Sequence, residues 1–258
     1  MSIVCLSHTQ TKFTMICGNT MNEDTLISIH CFQGDAALVE RAMPIHLAHK
    51  CPVVVLSPSD SPVIIPGAES RFAGKRAYIG ADSWTRQHEH LKILLSYPQK
   101  YFLLNDADSF CVSAKIDPRL YAGAYNTLWS NEVTEPRPHS SPYPKIAAQP
   151  PYFLTRESIQ KILEASPRVA VHPITPYIDY AMLAWSCEAG LEHRAFTELE
   201  HQNRYIFRAT ESDPERAAWQ QLDYRIRYRG TCFCHPIKTD WQVNMCREAR
   251  EFYEPPES

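Results

Sequence analysis

Glycine is scarce in this chain. It supplies 8 of 258 residues, whereas proline supplies 20, and an average protein is about 7% glycine. Long loops stiffened by proline around a compact centre are the expected result. The shortage also bears on nucleotide chemistry. The β-rich run near the start continues as SIHCFQGDAA, with a single glycine. A glycine-rich phosphate loop after the first strand, as a sugar nucleotidyltransferase would carry, is therefore absent.

Other absences narrow the class. No run of 18 apolar residues is present to span a bilayer, and the first residues lack the charged-then-apolar pattern of a secretory leader. A cytoplasmic protein with no membrane role is expected. The formal charge is −3, so bulk positive charge does not tie the chain to nucleic acid. Nine cysteines, an odd number without repeating spacing, fit reduced thiols better than a disulfide framework. Cys232-Phe233-Cys234-His235 has the look of half a zinc site, but no second cysteine pair at metal spacing accompanies it. No internal repeat or low-complexity segment is visible.

What is present is an alternation of strands and helices. TLISIHCF (25–32) is β-rich, and QGDAALVERAMPIHLAH reads as a helix after it. CPVVVLSP (51–58) has the continuous apolar character of a buried parallel strand. KRAYIG (75–80) reads as a third strand, followed by a helix capped by Asp82 or Ser83 with Leu91, Leu94 and Leu95 inward. KYFLLN is the fourth strand. Such an order implies an open, largely parallel sheet with ligands beyond the carboxyl ends of its strands. That edge receives His30 to Phe32, Ser57 to Asp60, Asp106 and Asp108. The second half is rich in loops, with helices expected over TRESIQKILEAS, capped by Thr155, and IDYAMLAWSCEAG, ended by Gly190. DYRIRYRGTCFCHPIKT reads as strand, turn, strand.

The sharpest feature is YFLLNDADSF (101–110), an apolar strand ending in two acids one residue apart. Two carboxylates held close repel one another unless a positive charge lies between them. A divalent Mn²⁺ or Mg²⁺ ion, which prefers oxygen ligands and keeps substrate phosphates in its shell, resolves the conflict. The alternative is a solvated turn in which Asp106 caps the next element.

Taken with the strand–helix order, this segment resembles the D-x-D motif of GT-A fold glycosyltransferases. Three later segments are similar to parts of that family: QPPYFLTRESIQKIL to an aromatic strand before a helix on the acceptor side, PYIDYAMLAWSCEAGL to a helix beginning with an acid that faces the sugar, and CFCHPIK to a C-terminal histidine that ligates the metal. The resemblance implies an α/β fold of GT-A (Rossmann-like) type, with a mostly parallel central sheet flanked by helices. It implies one domain over 1–258, with a nucleotide-sugar-binding half at about 25–115 and a loop-rich acceptor-side half at about 116–245. It also implies a metal-dependent glycosyltransferase with a nucleotide-sugar donor, most simply a UDP-sugar.

Carried across, Asp108 is the chief metal ligand, Asp106 binds metal or donor ribose, and His235 completes the shell. Lys238 faces the diphosphate. Asp179 is the candidate general base toward an acceptor hydroxyl, with a helix-dipole role as the alternative. His30, Phe32, Ser57, Ser59 and Asp60 are candidates for holding the donor base, and Arg86 with His90 for reaching phosphate. Trp129, Asn131, Glu132 and Gln149 are candidates for reading sugar hydroxyls.

For the acceptor, one feature bears on nucleic acid. On a strand, Arg225, Arg227 and Arg229 of DYRIRYRG would share one face and could track phosphates. The composition also resembles small bacteriophage glycosyltransferases that modify hydroxymethylated pyrimidines in DNA, which makes such DNA the leading acceptor. A saccharide, protein or small-molecule acceptor, or a non-catalytic nucleotide-sugar-binding module, is the alternative.

Overall fold

A computed structural model describes residues 23–112, 120, 124–130, 133–134, 147–171, 177–196, 206–207, 215–229 and 233–253. The first half runs β1 (Thr25–His30), α1 (Ala36–Leu47), β2 (Val53–Ser57), β3 (Glu69–Phe72), α2 (Gly80–Leu95), β4 (Tyr101–Asp106) and β5 (Phe110–Cys111). The short strands β6 (Thr127–Ser130), β7 (Val133–Thr134), β8 (Ala147–Ala148) and β9 (Tyr152–Thr155) follow. Then come α3 (Arg156–Ala165), α4 (Ile178–Glu188), β10 (Glu192–Ala195), β11 (Ile206–Phe207), α5 (Glu215–Arg229), β12 (Phe233–Cys234) and α6 (Asp240–Tyr253).

The main sheet has seven strands in the order β10-β6-β9-β4-β1-β2-β3. Strand β9 runs against its neighbours β4 and β6, and the other pairings are parallel. The expected α/β class with a mostly parallel sheet is thus what forms. Strands β1, β2 and β4 are buried on both faces, which is why they read as apolar runs. Their side chains alternate: Ile27, Ile29, Val53, Val55 and Leu103 enter the core on one face, and Leu26, Val54, Leu56, Phe102 and Leu104 that on the other. Helices α2, α3 and α4 cover the second face through Trp84, Leu91, Leu94, Ile159, Ile162 and Met182. Helix α1 gives Val39 and Met43 to the first face. A third cluster joins α1, α5, α6 and the small β11-β12-β5 sheet.

Local signals account for the helix ends in the second half. Thr155 caps α3, its hydroxyl accepting from the Ser158 N–H at 3.1 Å, which satisfies one of the free donors of the first turn. Gly190 follows α4 at φ 68°, the left-handed conformation common just past a helix end. Arg156, first in α3, donates to the carbonyls of Leu95, Tyr97 and Gln99. This ties the end of α2 to the end of β9.

Three expectations fail. Lys75–Gly80 is not a strand; the third strand is Glu69–Phe72. It is a mostly exposed edge strand with no apolar run to announce it. Helix α2 starts at Gly80 with Ile79 at its N-cap and no side-chain cap, so neither Asp82 nor Ser83 has that role; the Ser83 hydroxyl donates to the Gly80 carbonyl at 2.8 Å. DYRIRYR lies in helix α5, not in a strand. The one-face argument for the arginines held only for a strand, and this segment is helical. Among the described residues, no helix is long and apolar enough to cross a membrane.

Candidate active site

The carboxyl ends of β1 and β4 meet in register, His30 beside Asp106. A cleft of about 300 Å³ opens there. Its floor comes from β1 and β4, and one wall comes from α2 through Arg86 and His90. The opposite wall is Tyr152 at the start of β9 with Tyr177, Ile178 and Asp179 at the start of α4. Because β9 runs backwards, its first residue arrives at the edge where the parallel strands end. An isolated antiparallel bridge between Ile79 and Tyr177 joins the two walls.

The acids occupy one end of the cleft. Asp106 is the last residue of β4, and burial with the charges of Asp108 and Asp179 pushes its pKa up to about 7. Asp108 lies in the following turn, closed by the Ser109 N–H to the Asp106 carbonyl at 3.1 Å. Burial acts to raise the Asp108 pKa, but His235 and Lys238 outweigh it and hold the carboxylate below its ordinary range. The Lys238 ammonium donates to Asp108 Oδ2, and His235 Nδ1 lies 3.4 Å from Asp108 Oδ1 and 2.9 Å from the Ser109 hydroxyl. The backbone locks this pairing, with the Ile237 N–H donating to the Asp108 carbonyl at 2.9 Å.

Asp179, in the first turn of α4, accepts from the Tyr152 hydroxyl at 3.3 Å. Burial raises its pKa to about 6 despite that bond and the nearby His235. The Tyr152 hydroxyl also donates to the Ala148 carbonyl at 2.6 Å. Its own pKa lies well above the ordinary value, through burial and the charges of Asp179 and Asp106.

The other end is aromatic. Phe32 and Tyr78 rings lie 4.6 Å apart, and the Arg86 guanidinium sits over Phe32 at 4.8 Å. Arg86 is itself buried, donating to the carbonyls of Lys75 and Ala77. Gly74 makes this placement possible. At φ 67° a Cβ there would lie 2.6 Å from Arg86 Cβ, so only glycine admits the loop so close. His30 packs edge-on to His90 at 4.9 Å. Burial and Arg86 depress its pKa to about 3, so it is neutral, and its Nε2 is buried with no hydrogen-bond partner among the described residues.

The cleft therefore gathers His30, Phe32, Arg86, Asp106, Asp108, Asp179 and Lys238, with His235 behind Asp108. Three expected donor residues, Ser57, Ser59 and Asp60, are not among its lining. The Ser57 hydroxyl accepts from the Val63 N–H at 3.0 Å, the Ser59 N–H donates to the Gly74 carbonyl at 2.9 Å, and Asp60 accepts from the Arg76 N–H at 2.7 Å; all three tie loop backbone together. Trp129 is a core residue stacked on Phe196, and Asn131 and Glu132 lie outside the described residues. Tyr78, Tyr152 and Tyr177 were not singled out by sequence. The signal for Tyr152 is its place at the start of the aromatic strand before the Thr155 cap.

A hard divalent cation fits the donor chemistry. Asp106 and Asp108 line the cleft together and His235 Nδ1 lies 3.4 Å from Asp108 Oδ1, which supplies the oxygen and nitrogen donors such an ion accepts. Among the described residues, no three His, Cys, Asp or Glu side chains are placed to hold a metal ion by themselves, so a cation here would need substrate oxygens as well. Lys238 supplies the positive charge at Asp108 in this arrangement.

No protein-family model matches the chain, and no curated protein matches it. Among solved structures, it is similar to the galactosyltransferase LgtC in complex with donor and acceptor sugar analogues, at 14% identity and a TM-score of 0.47, over 88% of this chain and 95% of that one. It is also similar to a glycosyltransferase involved in glycosylation of the major capsid of PBCV-1, at 10% identity and a TM-score of 0.42, over 87% of this chain and 98% of that one. Likeness of this degree leaves function to be argued from the site itself.

Proposed function

We propose that the protein is a glycosyltransferase that moves a sugar from a nucleotide-sugar donor to a hydroxyl acceptor. One observation carries this reading: three carboxylates, Asp106, Asp108 and Asp179, share a single cleft with Lys238, Arg86 and the Phe32–Tyr78 ring pair. A planar base suits the aromatic end, where Arg86 adds positive charge. The diphosphate suits the acidic end only with cations present, and Lys238 is one. Asp106, Asp108 and His235 would hold a Mn²⁺ or Mg²⁺ ion, whose chemistry is to neutralise charge on the departing diphosphate.

The protein's own groups then have separate tasks. Lys238 leaves Asp108 for a phosphate oxygen. Asp179, with its pKa near 6, is ionised at neutral pH and close enough to that range to take a proton. In a direct displacement the acceptor oxygen bonds to the anomeric carbon as the bond to the diphosphate oxygen breaks, and the acceptor proton passes to Asp179. Tyr152 orients that carboxylate through its hydroxyl.

For the acceptor, residues 223–229 are helical rather than extended, so hydroxymethylated DNA is one arm of the test beside other hydroxyl acceptors. The experiment is a screen of nucleotide sugars with Mn²⁺, with and without hydroxymethylcytosine DNA, read by product mass. Nucleoside diphosphate release by the wild type and its loss in Asp108→Ala support the reading. Release that requires DNA assigns the acceptor. Nucleotide-sugar binding without turnover supports a non-catalytic module, and unchanged turnover in Asp108→Ala removes this site from the reaction.

A further inference from the structure

A second cleft, of about 600 Å³, lies away from the candidate active site and shares no lining residue with it. It runs between α5 and α6. Helix α5 contributes Arg216, Trp219 and Gln220, and α6 contributes Trp241, Asn244, Met245 and Glu248. These are spacings of three, four and seven residues, so each set forms one helix face turned to the other. Ala218 and Leu222 on α5, with Met245 and Cys246 on α6, fill the core beneath. The groove floor is thus fixed by packing.

Trp241 packs on that core, but among the described residues the polar groups above the floor are unengaged. Trp219 and Trp241 are partly buried, while Arg216, Gln220 and Glu248 are exposed. Among the described residues, Arg216, Trp219, Gln220, Trp241 and Glu248 make no hydrogen bond or ion pair with one another or with the rest of the protein. Asn244 accepts from Arg247 at 3.1 Å, which leaves its amide N–H groups free. Two indole faces therefore stand beside free amide, guanidinium and carboxylate groups.

We infer that this cleft binds a short neutral saccharide. A pyranose ring presents an apolar C–H face and a rim of hydroxyls that both donate and accept. The indoles match the first and the unpaired polar groups match the second. Charge narrows the ligand class. Among the described lining residues Arg216 and Glu248 balance, without the excess of cations that a phosphate backbone requires. Free amides and a carboxylate among the aromatics also distinguish it from a wholly apolar groove for a hydrophobic helix. From Trp241 to Glu248 the groove is about 10 Å long by helical rise, which suits an oligosaccharide rather than one sugar. Helix α6 is anchored to the active-site segment, because Gln242 Oε1 accepts from the N–H groups of Lys238 and Thr239 at 2.7 and 3.0 Å. The inference does not depend on the proposed reaction, since its test reads binding alone.

Intrinsic fluorescence provides the readout. Of five tryptophans, Trp84, Trp129 and Trp185 are buried in the core, leaving Trp219 and Trp241 to report the groove. The full chain is titrated with maltotriose, cellotriose and triacetylchitotriose, and saturation-transfer NMR checks each contact. At least one trisaccharide is expected to bind. Trp219→Ala and Trp241→Ala should each weaken it roughly tenfold, the scale of losing one aromatic face. Gln220→Ala and Glu248→Gln, at exposed positions that leave the fold intact, should weaken it roughly threefold. Asp108→Asn should leave binding unchanged. The inference is overturned if no trisaccharide binds at millimolar concentration, or if binding survives both tryptophan substitutions. Loss of binding in Asp108→Asn overturns it too, since the sugar then sits in the other cleft. Tighter binding of a dT12 oligonucleotide dependent on Trp219, or self-association abolished by Trp241→Ala, assigns the groove to another occupant.

Discussion

Replacing Asp106 with asparagine tests the electrostatics of the site with no knowledge of its substrate. In the folded chain the carboxyl has a pKa of about 7, from burial first and then from the Asp108 and Asp179 charges. In the unfolded chain it returns to an ordinary value near 3.8. The folded value is the higher, so the folded state holds the extra proton between these limits. The group's contribution is fully present below the unfolded value and is lost as pH rises through about 7. A displacement of that size corresponds to about 4 kcal/mol. Asp106 borders an open cleft, and solvent screening brings the expected effect to about 2 kcal/mol. With chelator present, Asp106→Asn should therefore match the wild type near pH 4 and exceed its stability by about 2 kcal/mol at pH 8. For a chain of this size that is a rise in Tm of about 4–8 °C. Urea unfolding across pH, followed by circular dichroism, measures it. Adding Mn²⁺ at pH 8 should reverse the order, because only the wild type keeps both carboxylates. A variant less stable than wild type at pH 8 in chelator, or a difference that does not change with pH, would refute the reasoning.

Other outcomes follow from the same geometry. Turnover should fall as pH drops below about 6, because Asp179 gains its proton there; Asp179→Asn should lower kcat by roughly 10²–10⁴ and flatten that limb of the pH–rate profile. Gly74→Ala should cost at least about 1 kcal/mol in chemical denaturation and weaken nucleotide binding in calorimetry, because the new methyl displaces Arg86; unchanged binding would detach Arg86 from the donor. Thr155→Ala should cost about 1 kcal/mol by the same denaturation assay through loss of the α3 cap, with turnover unaffected.

Much of the fold was legible because the central strands are buried on both faces. Val53–Ser57 and Tyr101–Asp106 stand out as apolar runs for that reason. Strand Glu69–Phe72 did not, since an exposed edge has no such run. Residues 223–229 alternate as a strand would, yet they lie in helix α5. The helix is set earlier, where Ala218 and Leu222, four apart, enter the core, and it propagates through the arginines. In the candidate site, the placement of Asp106 and Asp108 at the carboxyl end of β4, in a cleft, was legible from the rule that ligands lie beyond strand ends. The pairing of Asp108 with Lys238 spans 130 residues, and the arrival of Tyr152 depends on the direction of β9. Neither is encoded in any short window.

Strand β9 carries a further consequence. It belongs to the second half of the chain yet lies between β4, from the first half, and β6. Severing the chain after β5 would strip β4 and β9 of a shared ladder and leave each fragment with a raw edge in search of a mate. Such fragments would rejoin or clump rather than stand apart, so truncation cannot apportion donor and acceptor work between the halves.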